Sequence, residues 1–261
     1  MREWILSEVN YGYVKEHPYE VAVLPMGATE PHNLHLPYGT DTFEAEEIAS
    51  RACGAAFQRG ARVIMLPPIP YGTETNLMAF PLAMNVNPST LGLLITDLVE
   101  SLARHGVQKL LILNSHGGNE FKPLLRELQG RTPVNLFLCD WFRGLTADVQ
   151  KTIFDSAGDH AGEMETAFGL ACFPELVARD SKTGEIIADA GAIRSTRFDA
   201  INRGWVSITR PWHLLTTNTG SGNPHPATAE KGRQLLEVIV ERLAAFLVEL
   251  SAAKLDEKFP F

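Results

Sequence analysis

The sequence predicts an α/β fold of three layers, α/β/α, with a central and mainly parallel sheet covered by helices on both faces. Three observations predict it. Short apolar runs alternate with longer segments of helical apolar spacing along the chain. The first run, Val21–Leu24, reads as a buried strand and opens directly onto a cluster of acids and histidines, the place where open parallel sheets keep their chemistry. No linker, charge block or internal repeat divides the 261 residues, so one domain over 1–261 is expected.

The elements follow in order. Val21–Leu24 is the first strand. Phe43–Arg59 has helical spacing and stops at Gly60. Val63–Leu66 is the second strand, cut off by Pro67 and Pro68. Asn87-Pro88-Ser89 opens a helix that runs through Arg104 and closes at Gly106. Lys109–Leu113 is the third strand, Asn119–Leu128 a helix with Gly130 after it, and Val134–Cys139 the fourth strand. Glu163–Cys172 is helical and ends before Pro174; Ala227–Ala252 is a long last helix. The stretch Asp180–Pro226 is rich in Gly, Thr and Asn, and is expected to be irregular or a β-excursion over the site.

Composition excludes several classes. With 45% hydrophobic and 21% charged residues the chain is globular rather than disordered. A formal net charge of -8 argues against a nucleic-acid partner and leaves a small-molecule substrate. Cys53, Cys139 and Cys172 are scattered and form no C-x-x-C, which argues against a disulfide scaffold or zinc knuckle and for buried thiols in a reducing compartment. The first twenty residues carry acids and no sustained apolar core, and no apolar run spans a bilayer. A cytoplasmic protein with no membrane partner is expected.

Three clusters carry chemistry. Met26–Thr42 places Glu30, His32, His35 and Asp41 on a loop punctuated by Pro31, Pro37 and Gly39. Asn114-Ser115-His116-Gly117-Gly118-Asn119 follows the third strand. Its glycines either present backbone N–H groups to a phosphate at a helix N-terminus or turn the chain so that His116 faces the cleft. The third cluster, Asp159 to Thr166, opens a helix. There Asp159 suits an N-cap and Glu163 suits the helix dipole, but neither role accounts for His160 beside them. Glu30, His32, Asp41, His116 and Glu165, with His160 unassigned, make an inventory of imidazoles and carboxylates suited to zinc, manganese or iron and not calcium. Three carboxylates against two dications leave one positive charge that a bridging hydroxide would neutralise, as in a two-metal hydrolase.

At this point the chain resembles the creatininase (creatinine amidohydrolase) family. The resemblance rests on G-[AS]-x-E-x-H-x-x-H-L-P-x-x-T-D at Gly27–Asp41, N-x-H-G-G-N at Asn114–Asn119 and H-A-G-x-x-E-T at His160–Thr166. A weaker match is Asn223–Gly232, at the entry to the last helix. The resemblance implies two divalent ions (Zn, Mn or Fe). Glu30, Asp41 and His116 would hold one, and His32 and Asp41 the other, with Asp41 shared. Creatininase adds a carboxylate two residues after the histidine of the second motif, where this chain has Gly118; the Gly-Gly branch of the family takes that ligand from the third motif, which points to Glu165. His160 matches the histidine assigned to proton transfer, so His160 and Glu165 are the expected catalytic pair. His35, Asn114, Asn119 and Asp159 are expected to hydrogen-bond behind the ligands.

The implied activity is hydrolysis of a carbon–nitrogen amide bond in a small or cyclic substrate. Carbon–carbon hydrolysis of a cyclic diketone on the same centre is the alternative, and a non-catalytic sugar-phosphate-binding protein is the reading from another class. The resemblance also implies a homo-oligomer, commonly a hexamer. Departures point away from creatinine as the substrate. Asn33 and Leu34 stand where the family commonly has Gly-Pro, and Ser156 stands where creatininase has a tryptophan. Trp141, Trp205 and Trp212 could serve other pockets, with core or interface packing the expected role of each.

Overall fold

Alternate side chains of the strands leave on opposite faces, and here both faces are apolar. Val21, Val23, Leu111 and Leu113 pack with Ile48, Phe168, Leu235 and Ile239 on one side. Ala22, Leu24, Leu110 and Ile112 pack with Leu91, Ile95 and Leu124 on the other. Three layers result. In this computed structural model, which describes every residue except Asp159, four strands form one parallel sheet in the order β2-β1-β3-β4. They are β1 (Val21–Met26), β2 (Val63–Met65), β3 (Lys109–Asn114) and β4 (Asn135–Asp140). After α1 (Tyr11–Glu16), the crossovers are α2 (Thr40–Gln58), α3 (Pro88–Arg104) and α4 (Lys122–Leu128). A π-helical turn (Trp141–Leu145) and α5 (Ala147–Ile153) lead to α6 (Glu163–Cys172). The single turns α7 (Asp199–Asn202) and α8 (Trp212–Leu215) precede the long α9 (Ala229–Ala252), which Thr228 caps by accepting from the Lys231 N–H at 3.2 Å.

The strand order reverses between β1 and β3. Their last residues, Met26 and Asn114, are register partners, and the Ser115 N–H donates to the Met26 carbonyl at 2.9 Å. Two loops therefore leave side by side from the same sheet edge, at the switch point where open sheets bind ligands.

Two packing devices hold the layers behind that edge. A Cβ on Gly232 of α9 would lie 2.0 Å from the Ala167 carbonyl oxygen of α6, so only glycine lets the helices approach this closely. Lys109, buried at the start of β3, sends its ammonium to the carbonyls of Leu250 (2.8 Å) and Ala253 (2.6 Å), closing the end of α9.

Some boundaries differ from the sequence expectation, with consequences for the site. α2 begins at Thr40 rather than Phe43, so Asp41 sits in a helical first turn and not on the loop. α4 begins at Lys122 rather than Asn119, which moves its N-terminus away from Gly117 and Gly118. The N-cap of α6 is Gly162; the capping role expected of Asp159 lies outside the described residues. Residues 180–226 are largely irregular, with isolated bridges such as His160 to Ser221, and they strap over the first motif. Among the described residues no helix is long and apolar enough to cross a membrane.

Candidate metal centre

The first loop is shaped before any ligand enters. Asn33 has a φ of 54°, a left-handed conformation that asparagine tolerates best after glycine. A glycine, the residue the family commonly has here, takes that conformation as well. The Asn33 amide donates to the Asp189 carbonyl at 2.9 Å and its N–H to Thr219 Oγ1 at 2.9 Å, tying the loop to the strap.

Three buried imidazoles surround Glu30. In each, one nitrogen is committed to an acceptor behind the ring. His32 Nδ1 donates to the Glu30 carbonyl (3.1 Å), His160 Nε2 to the Pro31 carbonyl (3.0 Å), and His116 Nε2 to the Thr73 carbonyl (3.2 Å). A carbonyl only accepts, so these bonds fix the tautomers. The other nitrogens face Glu30 Oε1: His116 Nδ1 at 3.1 Å, His160 Nδ1 at 3.7 Å and His32 Nε2 at 3.9 Å. Asp41 lies across two of the rings, with Oδ1 3.1 Å from His32 Nε2 and Oδ2 3.0 Å from His116 Nδ1. Glu165 joins His32 and Asp41 in a third group close enough to share a cation, and its carboxylate also accepts the Ala161 N–H.

Of the four residues expected behind the ligands, three make hydrogen bonds in the site, and Asp159 lies outside the described residues. His35 Nε2 meets Thr166 Oγ1 at 2.7 Å. The Asn114 amide donates to the His116 carbonyl at 2.8 Å, and its oxygen accepts the His116 N–H at 3.2 Å. Asn119 donates to Asn114 Oδ1 at 3.1 Å and accepts the Thr73 N–H at 3.1 Å. These bonds stiffen the turn that presents His116.

Electrostatics single out the same atoms. Burial pushes the Glu30 carboxyl well above its usual range, with Asp41 and Glu74 adding and His116 opposing. Burial opposes the charged forms of His32 and His116, but the facing carboxylates outweigh it and hold both well above the ordinary imidazole value. Burial likewise opposes ionisation of Asp41, yet His32 and His116 hold it far below the carboxylate range. His160 goes the other way, pushed down to about 3 by burial and the neighbouring His32. Without a cation, protons on the imidazoles balance the carboxylates. Asp41 Oδ2 nevertheless completes no hydrogen bond, an orphaned buried acceptor that a cation would satisfy. Five donors of this type and arrangement fit two divalent ions of the zinc–manganese–iron group.

Two residues escaped the sequence reading, and a third, Trp212, was named without a place. Glu74 is fully buried at the C-terminal side of β2, with Oε1 2.7 Å from His116 Nε2. It lies well beyond the strand end at Met65, in a loop whose sequence gives no signal of its place. Glu44, one turn after Asp41 on α2, accepts from Ser115 Oγ at 3.0 Å, and that hydroxyl accepts the Trp141 indole N–H at 2.8 Å. Trp212 packs in a core cluster with Leu77, Ala83 and Leu215, and it also lines the cleft edge-on to His160, ring centroids 5.0 Å apart. An aromatic wall is thus supplied by α8, while Ser156 spends its N–H and hydroxyl on Glu163 at 2.7 and 3.0 Å. Glu163 also pairs with Lys231 of α9, so it anchors the loop before α6 as well as complementing that helix's dipole.

The family model described as creatininase, creatinine amidohydrolase, matches residues 7–247. A solved structure from Bacteroides fragilis NCTC 9343, provisionally named a creatinine amidohydrolase, is 37% identical with a TM-score of 0.89, covering 98% of this chain and 100% of that one. A mycofactocin precursor peptide peptidase of Mycobacterium ulcerans (strain Agy99) is 28% identical over 84% of this chain and 81% of its own. A creatinine amidohydrolase of Pseudomonas putida is 26% identical over 86% of this chain and 87% of its own. Solved creatininases that share the fold, at TM-scores of 0.76 and 0.74, include a Zn-Zn form and a Mn form. The chain belongs to the creatininase family of hydrolases.

Proposed function

We propose that this chain is a two-metal amidohydrolase that cleaves a carbon–nitrogen amide bond in a small substrate. The observation that carries the reading is the convergence of three tautomer-fixed imidazole nitrogens on Glu30 Oε1, with Asp41 spanning two of the rings. Glu30 and Asp41, both facing His116 Nδ1, would hold one divalent ion with that ring; His32, Asp41 and Glu165 would hold the other. Such a pair polarises a carbonyl and makes water nucleophilic near neutral pH.

The protein supplies the rest. His160, neutral and with its Nε2–H committed to Pro31, offers the Nδ1 lone pair to a proton and passes that proton to the leaving nitrogen. Trp212 fixes the ring plane from its edge. The cleft of about 350 Å³ suits a small molecule, and Arg143 and Arg210 on its lining favour a substrate that carries a carboxylate. The phosphate-binding reading lacks its helix N-terminus, since α4 starts beyond the glycines. A homo-oligomer accounts for the exposed Phe198, Trp205 and Val206 of the strap.

The test combines metal content with product analysis. The purified chain should hold two equivalents, and Asp41→Asn should lose both, because one carboxylate serves two sites. Full activity without metal overturns the reading, and two equivalents in Asp41→Asn overturn the shared ligand. Release of an amine identifies carbon–nitrogen cleavage; opening of a cyclic diketone without amine would identify the carbon–carbon alternative.

A further inference from the structure

We propose that Glu74 is a positioning residue of the metal centre: its carboxylate, beside the His116 Nε2–H that the Thr73 carbonyl also accepts, shares that proton and so helps hold Nδ1 toward Glu30 and Asp41. This rests on the metal-centre reading above. Glu74 has no exposed surface, and neither of its oxygens completes an aligned hydrogen bond. A buried carboxylate in that state needs a cationic or strongly donating neighbour. The group at hand is the His116 ring, with Nε2 2.7 Å from Glu74 Oε1.

The contact is built from both sides. On one side, the Glu74 N–H donates to Asn85 Oδ1 at 2.8 Å and Thr73 Oγ1 to the Val86 carbonyl at 3.2 Å, which pins residues 73–74 against the ring. On the other side lies Gly118, where a Cβ would fall 2.3 Å from His116 Nε2 and 2.4 Å from the Thr73 carbonyl oxygen. The position two residues after His116 therefore has no room for a side chain, and the carboxylate beside this ring arrives from the loop after β2 instead. Holding the loop does not require an acid, because Asn85 and Val86 do that through the backbone and the Thr73 hydroxyl. Direct ligation is also a poorer account. Glu30, Glu74 and His116 do offer ligand atoms close enough to share a cation, but Glu74 faces Nε2 while Glu30 and Asp41 face Nδ1, so ligation beside Glu74 would take His116 away from Asp41. An imidazole that gives Nδ1 to a dication becomes a stronger donor at Nε2, and a carboxylate there makes the ring a better ligand.

The test uses the full chain, wild type against Glu74→Ala and the near-isosteric Glu74→Gln. Each is stripped with chelator and titrated with Co²⁺ by calorimetry and visible absorption. Wild type should take two equivalents. In Glu74→Ala one equivalent should weaken by about 10–100-fold with an altered visible spectrum, while the other keeps its affinity. Glu74→Gln, which retains an acceptor, should weaken the same equivalent less. Both metal-free variants should melt no lower than metal-free wild type. Two equivalents of wild-type affinity in Glu74→Ala overturn the proposal. So does loss of both equivalents together with lower metal-free melting in both variants, the signature of a loop prop. A wild type that takes up no Co²⁺ refutes the metal-centre reading itself, and this inference with it.

Discussion

Replacing His160 by alanine separates proton transfer from metal binding more cleanly than any other change in the site. The ring lies in a group, with Glu30 and His32, compact enough to share a cation, so its role as a shuttle has a real competitor. The substitution removes the Nε2–H bond to Pro31 and a ring packed 4.1 Å from His32 and 5.0 Å from Trp212, centroid to centroid. Losing one buried hydrogen bond and a ring's packing costs about 2–4 kcal/mol, which for a chain of this size lowers Tm by roughly 5–15 °C. The variant should therefore fold at 25 °C. A shuttle contributes on the order of 10²–10⁴ in kcat, about 2.7–5.4 kcal/mol of barrier. The assay is steady-state kinetics and elemental analysis on His160→Ala beside Glu165→Ala, with added imidazole as a rescue agent. His160→Ala should keep both metals and KM, lose kcat on that scale, and recover part of it with imidazole. Glu165→Ala should lose one metal and not respond. If His160→Ala sheds metal while Glu165→Ala stays loaded, the two roles are reversed.

Two further outcomes follow from features away from the reacting atoms. Gly232→Ala places a Cβ 2.0 Å from the Ala167 carbonyl oxygen, so α9 and α6 must separate. Overpacking of about 1–3 kcal/mol or more should exceed the roughly 1 kcal/mol gain in helix propensity, and urea unfolding that shows equal or greater stability would contradict this packing. His35 is pushed down to about 4 by burial and by the charges of His32 and His225. Between an unfolded value of about 6.5 and that folded value, the unfolded chain binds the extra proton. Stability should thus fall as pH drops through that window, by up to about 1.4 kcal/mol per pH unit from this one group. His35→Gln should flatten the acid limb of the unfolding free energy by about that slope; an unchanged limb would show that His35 is not held neutral.

What was legible in the sequence follows from where the information lies. Val21–Leu24 and Lys109–Leu113 announce buried strands by apolar content alone, and the motif residues after them carry the family resemblance. Glu30, His32, Asp41, His116 and Glu165 were all nameable for that reason, and the structure brings all five together. The boundary of α2 was not legible: Pro37 and Gly39 look like loop, yet the helix starts at Thr40 because Gly39 is its N-cap. Glu74 was missed, and Trp212 could not be singled out from the other tryptophans, because each belongs to the site only through tertiary contact. The stretch around Glu74 matches none of the motifs, and an isolated tryptophan is compatible with any core. Glu163 is a milder case, since its place at a helix start suggests a dipole role while its bond to Lys231 needs α9 in position.

The Pro31 carbonyl accepts two bonds, from His160 Nε2 at 3.0 Å and from Thr219 Oγ1 at 2.9 Å. The strap also exchanges backbone bonds with His160 through Ser221, at 3.2 and 2.7 Å. The segment that covers the cleft and the ring that faces Glu30 therefore share their supports. A displacement of Thr219 and Ser221 would release the bonds on both sides of His160 at once, so cover and imidazole form one mechanical unit.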